Sequence, residues 1–109
     1  MKTQNRVQLI GYVGKDPIIK TTSEGSKIAK IRLATDTFLK NETGKSVRVT
    51  TWHDVVAWEK NAEQAGNNFI KGSHILVEGE ILYRTYPDRA GHIRYVTEIN
   101  AQTLMNLDR

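Results

Sequence analysis

The sequence predicts one all-β domain interrupted by a single short helix. Three observations predict it. Apolar residues recur at every second position through most of the chain, the signature of strands with one face toward a core. The rhythm changes to helical spacing only once. A hydrophobic fraction of 39% with 26% charged residues, over 109 residues, describes one folded unit with no room for a second. Residues 1–109 are therefore expected to form a single domain.

The first strand is expected from about Arg6 to Gly14, where Val7, Leu9, Gly11 and Val13 alternate with Gln8, Ile10 and Tyr12. Lys15-Asp16-Pro17 breaks it, Ile18 to Thr21 continues it, and Thr22-Ser23-Glu24-Gly25-Ser26 is turn chemistry. In the second strand Ala29, Ile31, Leu33 and Thr35 alternate with Lys30 and Arg32, giving one basic face, and the strand reaches about Phe38. Asn41-Glu42-Thr43-Gly44-Lys45 makes a hairpin loop.

The third strand runs from about Val47 to Trp58. Val47, Val49, Thr51, His53, Val55 and Ala57 share one face, and Arg48, Thr50, Trp52, Asp54, Val56 and Trp58 the other. From Glu59 to Ile70 the apolar residues Ala62, Ala65, Phe69 and Ile70 fall at helical spacing, with Lys71-Gly72 as a basic last turn and closing glycine. Gly66 costs this helix about 1 kcal/mol relative to alanine, so the helix should depend on packing. Strands resume with Ile75, Val77, Gly79, Ile81 and Tyr83 on one face. After a second loop at Tyr86–Gly91, a last strand spans about Ile93 to Leu104.

Three strands, a helix and two strands is the order of a five-stranded OB-fold Greek-key barrel with one short helix between strands 3 and 4. That fold serves many functions, so function must be argued from side chains. Zero cysteines remove disulfides, thiolate zinc sites and thiol catalysis. No apolar run approaches the roughly 18 residues of a membrane span, and the opening residues do not read as a signal peptide, so a cytoplasmic protein is expected. Sixteen Lys and Arg against twelve Asp and Glu leave a net charge of +4, which favours a polyanionic partner.

Enzyme chemistry finds little support. His53, His74 and His92 lie in different elements without ligand spacing, and His53 and Asp54, adjacent on a strand, point to opposite faces. Glu78 and Glu80 share a face but read as solvated, and neither a metal site nor a cofactor is expected.

The aromatic residues are more informative. Trp52 and Trp58 fall on the parity opposite the core, Phe38 ends the second strand, and Tyr86 sits at a hairpin tip. An aromatic on a strand usually belongs to a core, but all four of these lie off the core parity or in loops. They are interleaved with Lys40, Lys45, Arg48, Arg84 and Arg89. Flat rings among cations suit a nucleic acid single strand: each base stacked on a ring contributes about 1–3 kcal/mol while Lys and Arg track the phosphates. Lys30, Arg32, Lys60, Lys71 and Arg94 form a second rank of candidate cations.

Several motifs carry a resemblance. Asn5-Arg6-Val7-Gln8-Leu9-Ile10-Gly11-Tyr12-Val13-Gly14-Lys15-Asp16-Pro17, Leu33-Ala34-Thr35, Thr51-Trp52-His53-Asp54-Val55-Val56, Lys71-Gly72-Ser73 and Val77-Glu78-Gly79 are similar in order and spacing to the bacterial single-stranded DNA-binding proteins of homotetrameric OB-fold type. The resemblance covers essentially the whole chain. It implies non-specific binding of single-stranded DNA in replication, recombination and repair, association with the nucleoid, and no catalysis. It places the four stacking aromatics at Phe38, Trp52, Trp58 and Tyr86, where the family usually has tryptophan at the first and last and often phenylalanine at the third. It also implies subunit contacts through the first strand, at Val7 and Leu9, and through His53, in a homotetramer or, second, a dimer. The family normally continues into a flexible tail with an acidic tip that recruits partner enzymes. This chain stops at Asn106-Leu107-Asp108-Arg109, so such recruitment is not assigned to it. An OB-fold primosomal accessory protein acting through protein contacts is the alternative, and it would be expected to lack the full aromatic set. A nuclease would need a carboxylate cluster that the sequence does not assemble.

Overall fold

The computed structural model describes residues 2–108. Its elements are β1 (Val7–Val13), β2 (Ile18–Thr21), β3 (Lys27–Lys40), β4 (Ser46–Trp58), α1 (Lys60–Asn68), β5 (His74–Pro87) and β6 (Ile93–Asn106). The strands follow the order β1-β5-β6-β4-β3-β2, and a further pairing of β1 with β3 closes the sheet into a barrel. All pairings are antiparallel except the short parallel contact of β4 with β6, at Val55–Ile99 and Val56–Asn100. This is the expected five-stranded OB-fold barrel, because β1 and β2 are halves of one interrupted strand. Both lie against β3, but between Val13 opposite Leu33 and Ile18 opposite Lys30 the first strand has four residues, 14–17, against two. Pro17 has no amide hydrogen to donate there, and the Asp16 carboxylate instead accepts the Lys71 amide at 2.8 Å.

The core is built from the odd residues of each strand, except that a bulge in β6 opposite Glu78 and Gly79 shifts the parity beyond it and turns Leu104 inward. Val13, Ala29, Ile31, Leu33, Val55, Ala57, Ile75, Val77, Ile99, Ala101 and Leu104 are all buried, and Val7 and Leu9 pack against them. Helix α1 plugs one end of the barrel with Ala62, Ala65 and Phe69. Gly66 has a packing reason: a side chain there would crowd Ile19 of β2. Polar side chains fasten the helix, with Asn61 donating to the carbonyls of Ala101 and Gln102 and Gln64 to that of Leu104.

Two expectations for the helix are corrected. It ends at Asn68 with Phe69 as its C-cap, so Lys71 and Gly72 belong to the following turn and not to a basic last turn. Ile70 lies outside the helix and is 67% exposed, because the chain turns extended at Phe69 and carries the next residue off the packed face.

Three hairpins share one five-residue turn: Thr22–Ser26, Asn41–Lys45 and Asp88–His92. In each, the first amide donates to the fifth carbonyl, the fourth amide to the first carbonyl, and the first side chain accepts the fifth amide. The fourth position needs a positive φ, and glycine supplies it at Gly25, Gly44 and Gly91. The second and third turns close two arms that run beyond the barrel, the far halves of β3–β4 and β5–β6.

Candidate nucleic-acid interface

A strand's even residues point away from a core that its odd residues fill. On β3 and β4 these are Lys30, Arg32, Phe38, Lys40, Arg48, Trp52, Asp54 and Trp58; on β5 and β6 they include Arg84, Tyr86, Arg94, Val96 and Glu98. The pairing Lys30–Val56, Arg32–Asp54, Ala34–Trp52 and Phe38–Arg48 puts the first group side by side. The parallel contact Val56–Asn100 continues the same parity onto β6, and Tyr86–Arg94 and Leu82–Glu98 continue it onto β5. All four candidate aromatics therefore belong to one outer face. Phe38 is 67%, Trp52 47%, Trp58 42% and Tyr86 42% exposed. From the level of Phe38, opposite Arg48, to Trp58 the row runs ten residues along β4, or about 33 Å at strand rise.

Each platform has a local support. Trp52 lies against the chain at Gly14, where a Cβ would overlap its six-membered ring. The Arg32 guanidinium carbon stands 5.6 Å from the Trp52 ring centroid, and that of Arg84 stands 5.7 Å from Tyr86, both within cation–π range. Tyr86 borders a groove of about 490 Å³, lined among others by Lys15, Lys30, Arg32, Asp54, Arg84 and Glu98, and Lys15 and Arg32 also border a smaller recess at Trp52. Val56 and Ile31 contribute to the groove's apolar wall.

Of the expected phosphate contacts, Arg84 lines the groove. Arg48 stands opposite Phe38 on the β3–β4 arm, with Lys40 near its tip and Lys45 in its turn. Arg89 sits in the turn of the other arm. Lys30 and Arg32, of the second rank, line the groove itself, whereas Lys60 and Lys71 do not. Arg94 is held by Asp88 at 2.8 Å. Lys15 went unrecognised because it sits in the break between β1 and β2. Only the closure of β1 and β2 onto β3 brings it beside Trp52 and into the groove.

Neutral and charged groups are tightly paired on this face. Arg84 donates to both Glu98 oxygens, at 2.8 and 3.1 Å, and this raises the arginine above its ordinary pKa. Arg32 donates to Asp54 at 2.7 Å. His53 lies on the inner parity near the barrel mouth and shares a 2.9 Å hydrogen bond with the Thr35 hydroxyl. Partial burial, and then the Arg32 charge, lower its pKa despite the opposing pull of Asp54.

The proposed contact residues of β1 are placed less simply. Val7 and Leu9 face inward and are partly buried against the core. The side chains β1 shows to solvent are Gln8, Ile10 and Tyr12, the last stacked on His74 with ring centroids 4.7 Å apart. No cluster of three or more metal-ligating side chains occurs among the described residues, and none of their helices is long and apolar enough to cross a membrane.

An OB barrel carrying aromatic platforms and cations on one outer face defines a nucleic-acid-binding class of protein. Comparison with known proteins narrows the class. The profile of the Single-strand binding protein family matches residues 4–107, and the chain belongs to that family, one of binding proteins and not of enzymes. Single-stranded DNA-binding protein 1 of Xylella fastidiosa (strain 9a5c) is 38% identical over 110 residues, covering 100% of this chain and 81% of that protein. Among solved structures, the Plasmodium falciparum SSB complex with ssDNA superposes with a TM-score of 0.88 at 30% identity, over 99% of this chain and 98% of that one.

Proposed function

We propose that this chain binds single-stranded DNA without sequence preference, as a passive coating protein in replication, recombination and repair. The observation that carries the reading is the shared outer face. Phe38, Trp52, Trp58 and Tyr86 are presented on the same surface as Lys30, Lys40, Arg48 and Arg84, around a groove that Lys15 also lines. Bases stack on the rings, and the cations, with Lys45 and Arg89 in the arm turns, neutralise the phosphates. Duplex DNA has no free base faces to offer such platforms. The proposed location is the bacterial cytoplasm, at the nucleoid.

Intrinsic tryptophan fluorescence tests the reading. Titration with oligo-dT should quench it strongly, less so as salt rises, while duplex DNA leaves it nearly unchanged. Equal response to duplex, or none to the single strand, would overturn it.

The assembly proposed is a homotetramer. Two observations support self-association. β1 reaches β3 only through Tyr12 and Val13, so the edge of Val7–Ile10 that does not pair with β5 has no strand beside it among the described residues. On the β5–β6 arm, Tyr83, Ile93 and Tyr95 are exposed on the parity that elsewhere faces the core. Val7, Leu9 and His53 then act by shaping the strands that meet, while Ile10 and Tyr12 make the contact. Sedimentation equilibrium should return four times the chain mass, and Ile10→Asp should lower it.

A further inference from the structure

The groove on the binding face is lined by two carboxylates that a surface built only to hold phosphates would exclude. Asp54 stands directly opposite Arg32 in the β3–β4 pairing, and Glu98 lies one step diagonally from Arg84 across β5–β6. Both line the groove that Tyr86 borders. Glu98 is held unusually deep for an acid on an outward parity: its side chain is 10% exposed, and the Arg84 fork engages both of its oxygens. The Arg32–Asp54 and Arg84–Glu98 pairs thus line one groove. Each arginine so held is the same one that stands over an aromatic platform. Lys15 and Lys30, in the same groove, have no carboxylate within ion-pair distance among the described residues.

We infer that Asp54 and Glu98 are internal competitors of the bound strand's phosphates, holding Arg32 and Arg84 in ion pairs that a phosphate must displace. The inference rests on the single-strand reading above and adds what sets its strength. An arginine already neutralised by a carboxylate brings little net charge to a passing phosphate, and the carboxylate repels it. The lysines attract the strand, while the two arginine–carboxylate pairs hold affinity below what four free cations would give. A coating protein must be displaced by the enzymes that use the strand, and a restrained groove releases it more readily.

The test uses the full chain and oligo-dT at several salt concentrations, with Asp54→Asn and Glu98→Gln as variants. Glu63→Gln, which breaks the Lys27–Glu63 pair outside this groove, controls for the change in net charge. Asp54→Asn should bind about two- to fivefold more tightly at low salt, the range of an exposed ion pair, and Glu98→Gln should shift binding in the same direction. The log–log salt slope of each should steepen by about 0.7, one extra phosphate neutralised on a single strand. Thermal melts establish that the variants fold, and Asp54→Asn, at a half-exposed position, keeps the test open should Glu98→Gln unfold. Unchanged or weaker binding with an unchanged slope in Asp54→Asn would overturn the inference and assign the pairs to strand register alone. Equal tightening in Glu63→Gln would overturn it in favour of net charge. Failure of the wild-type chain to bind oligo-dT would instead overturn the single-strand reading, and this inference with it.

Discussion

Between Ala29 and Leu33, β3 buries every odd residue; between Asp36 and Lys40 the same strand shows both faces to solvent. β4 behaves likewise, exposing Val47 and Val49 on the arm and burying Val55 and Ala57 in the barrel. The difference teaches how far alternation can be read as function. On the barrel wall one parity is committed to the core, so large aromatic or charged residues on the other parity stand out. On an arm there is no core, and Leu39 and Val47 are exposed along with Phe38 and Arg48.

The largest expected effect separates the two regions by stability. Leu33→Ala, at the fully buried wall, should cost about 2–5 kcal/mol by denaturant titration, whereas Leu39→Ala on the arm should change stability by no more than about 0.5 kcal/mol. A large loss at Leu39 would break the comparison and show that the arm is covered in the assembled protein.

The next effect concerns binding. Trp52→Ala should weaken oligo-dT binding by about 1–3 kcal/mol with little dependence on base sequence, and Tyr83→Ala, of opposite parity, should not. Equal losses would mean that the Tyr83 face of the β5–β6 arm also touches DNA. Smaller again, Lys45→Ala and Arg48→Ala should each reduce the salt slope by about 0.7, while Lys60→Ala on α1 leaves it unchanged.

The smallest effect is a pH dependence at the junction of barrel and arm. The lowered pKa of His53 means that the unfolded chain takes up this proton more readily than the folded one. Its contribution is therefore complete above the unfolded-state value of about 6.5 and is lost as pH falls through the lowered folded-state value. Wild-type stability should decline over that interval, and the decline should be shallower in His53→Gln; parallel profiles would show that His53 does not carry it.

Much of this was legible in the sequence. The inward residues Ala29, Ile31, Leu33, Val55, Ala57, Ile75 and Val77 were readable from period-two alternation, because a barrel wall has one dry side. The end of α1 was not, since Ile70 has the right spacing but falls after the backbone has turned extended. Lys15 was hidden because its neighbours come from β3 and β4, far away in sequence. The ion pair of Arg32 with Asp54 was within reach: the Asn41–Lys45 turn sets Lys40 opposite Ser46, and counting back along both strands puts Arg32 opposite Asp54. The diagonal reach of Arg84 to Glu98 depends on side-chain geometry that pairing alone does not specify.

The shared hairpin turn has one more consequence. Because it fixes which residues meet at the tip of each arm, and side chains alternate with a period of two, an arm can change length only in whole pleats. Adding two residues to each strand would lengthen the β3–β4 arm by about 7 Å and leave Arg32 opposite its acid and Trp52 on its side of the sheet. Adding one to either strand would turn every side chain beyond it over. Arm length is thus a dimension that homologous chains can vary freely in steps, like a telescoping boom, while the barrel it is mounted on stays the same size.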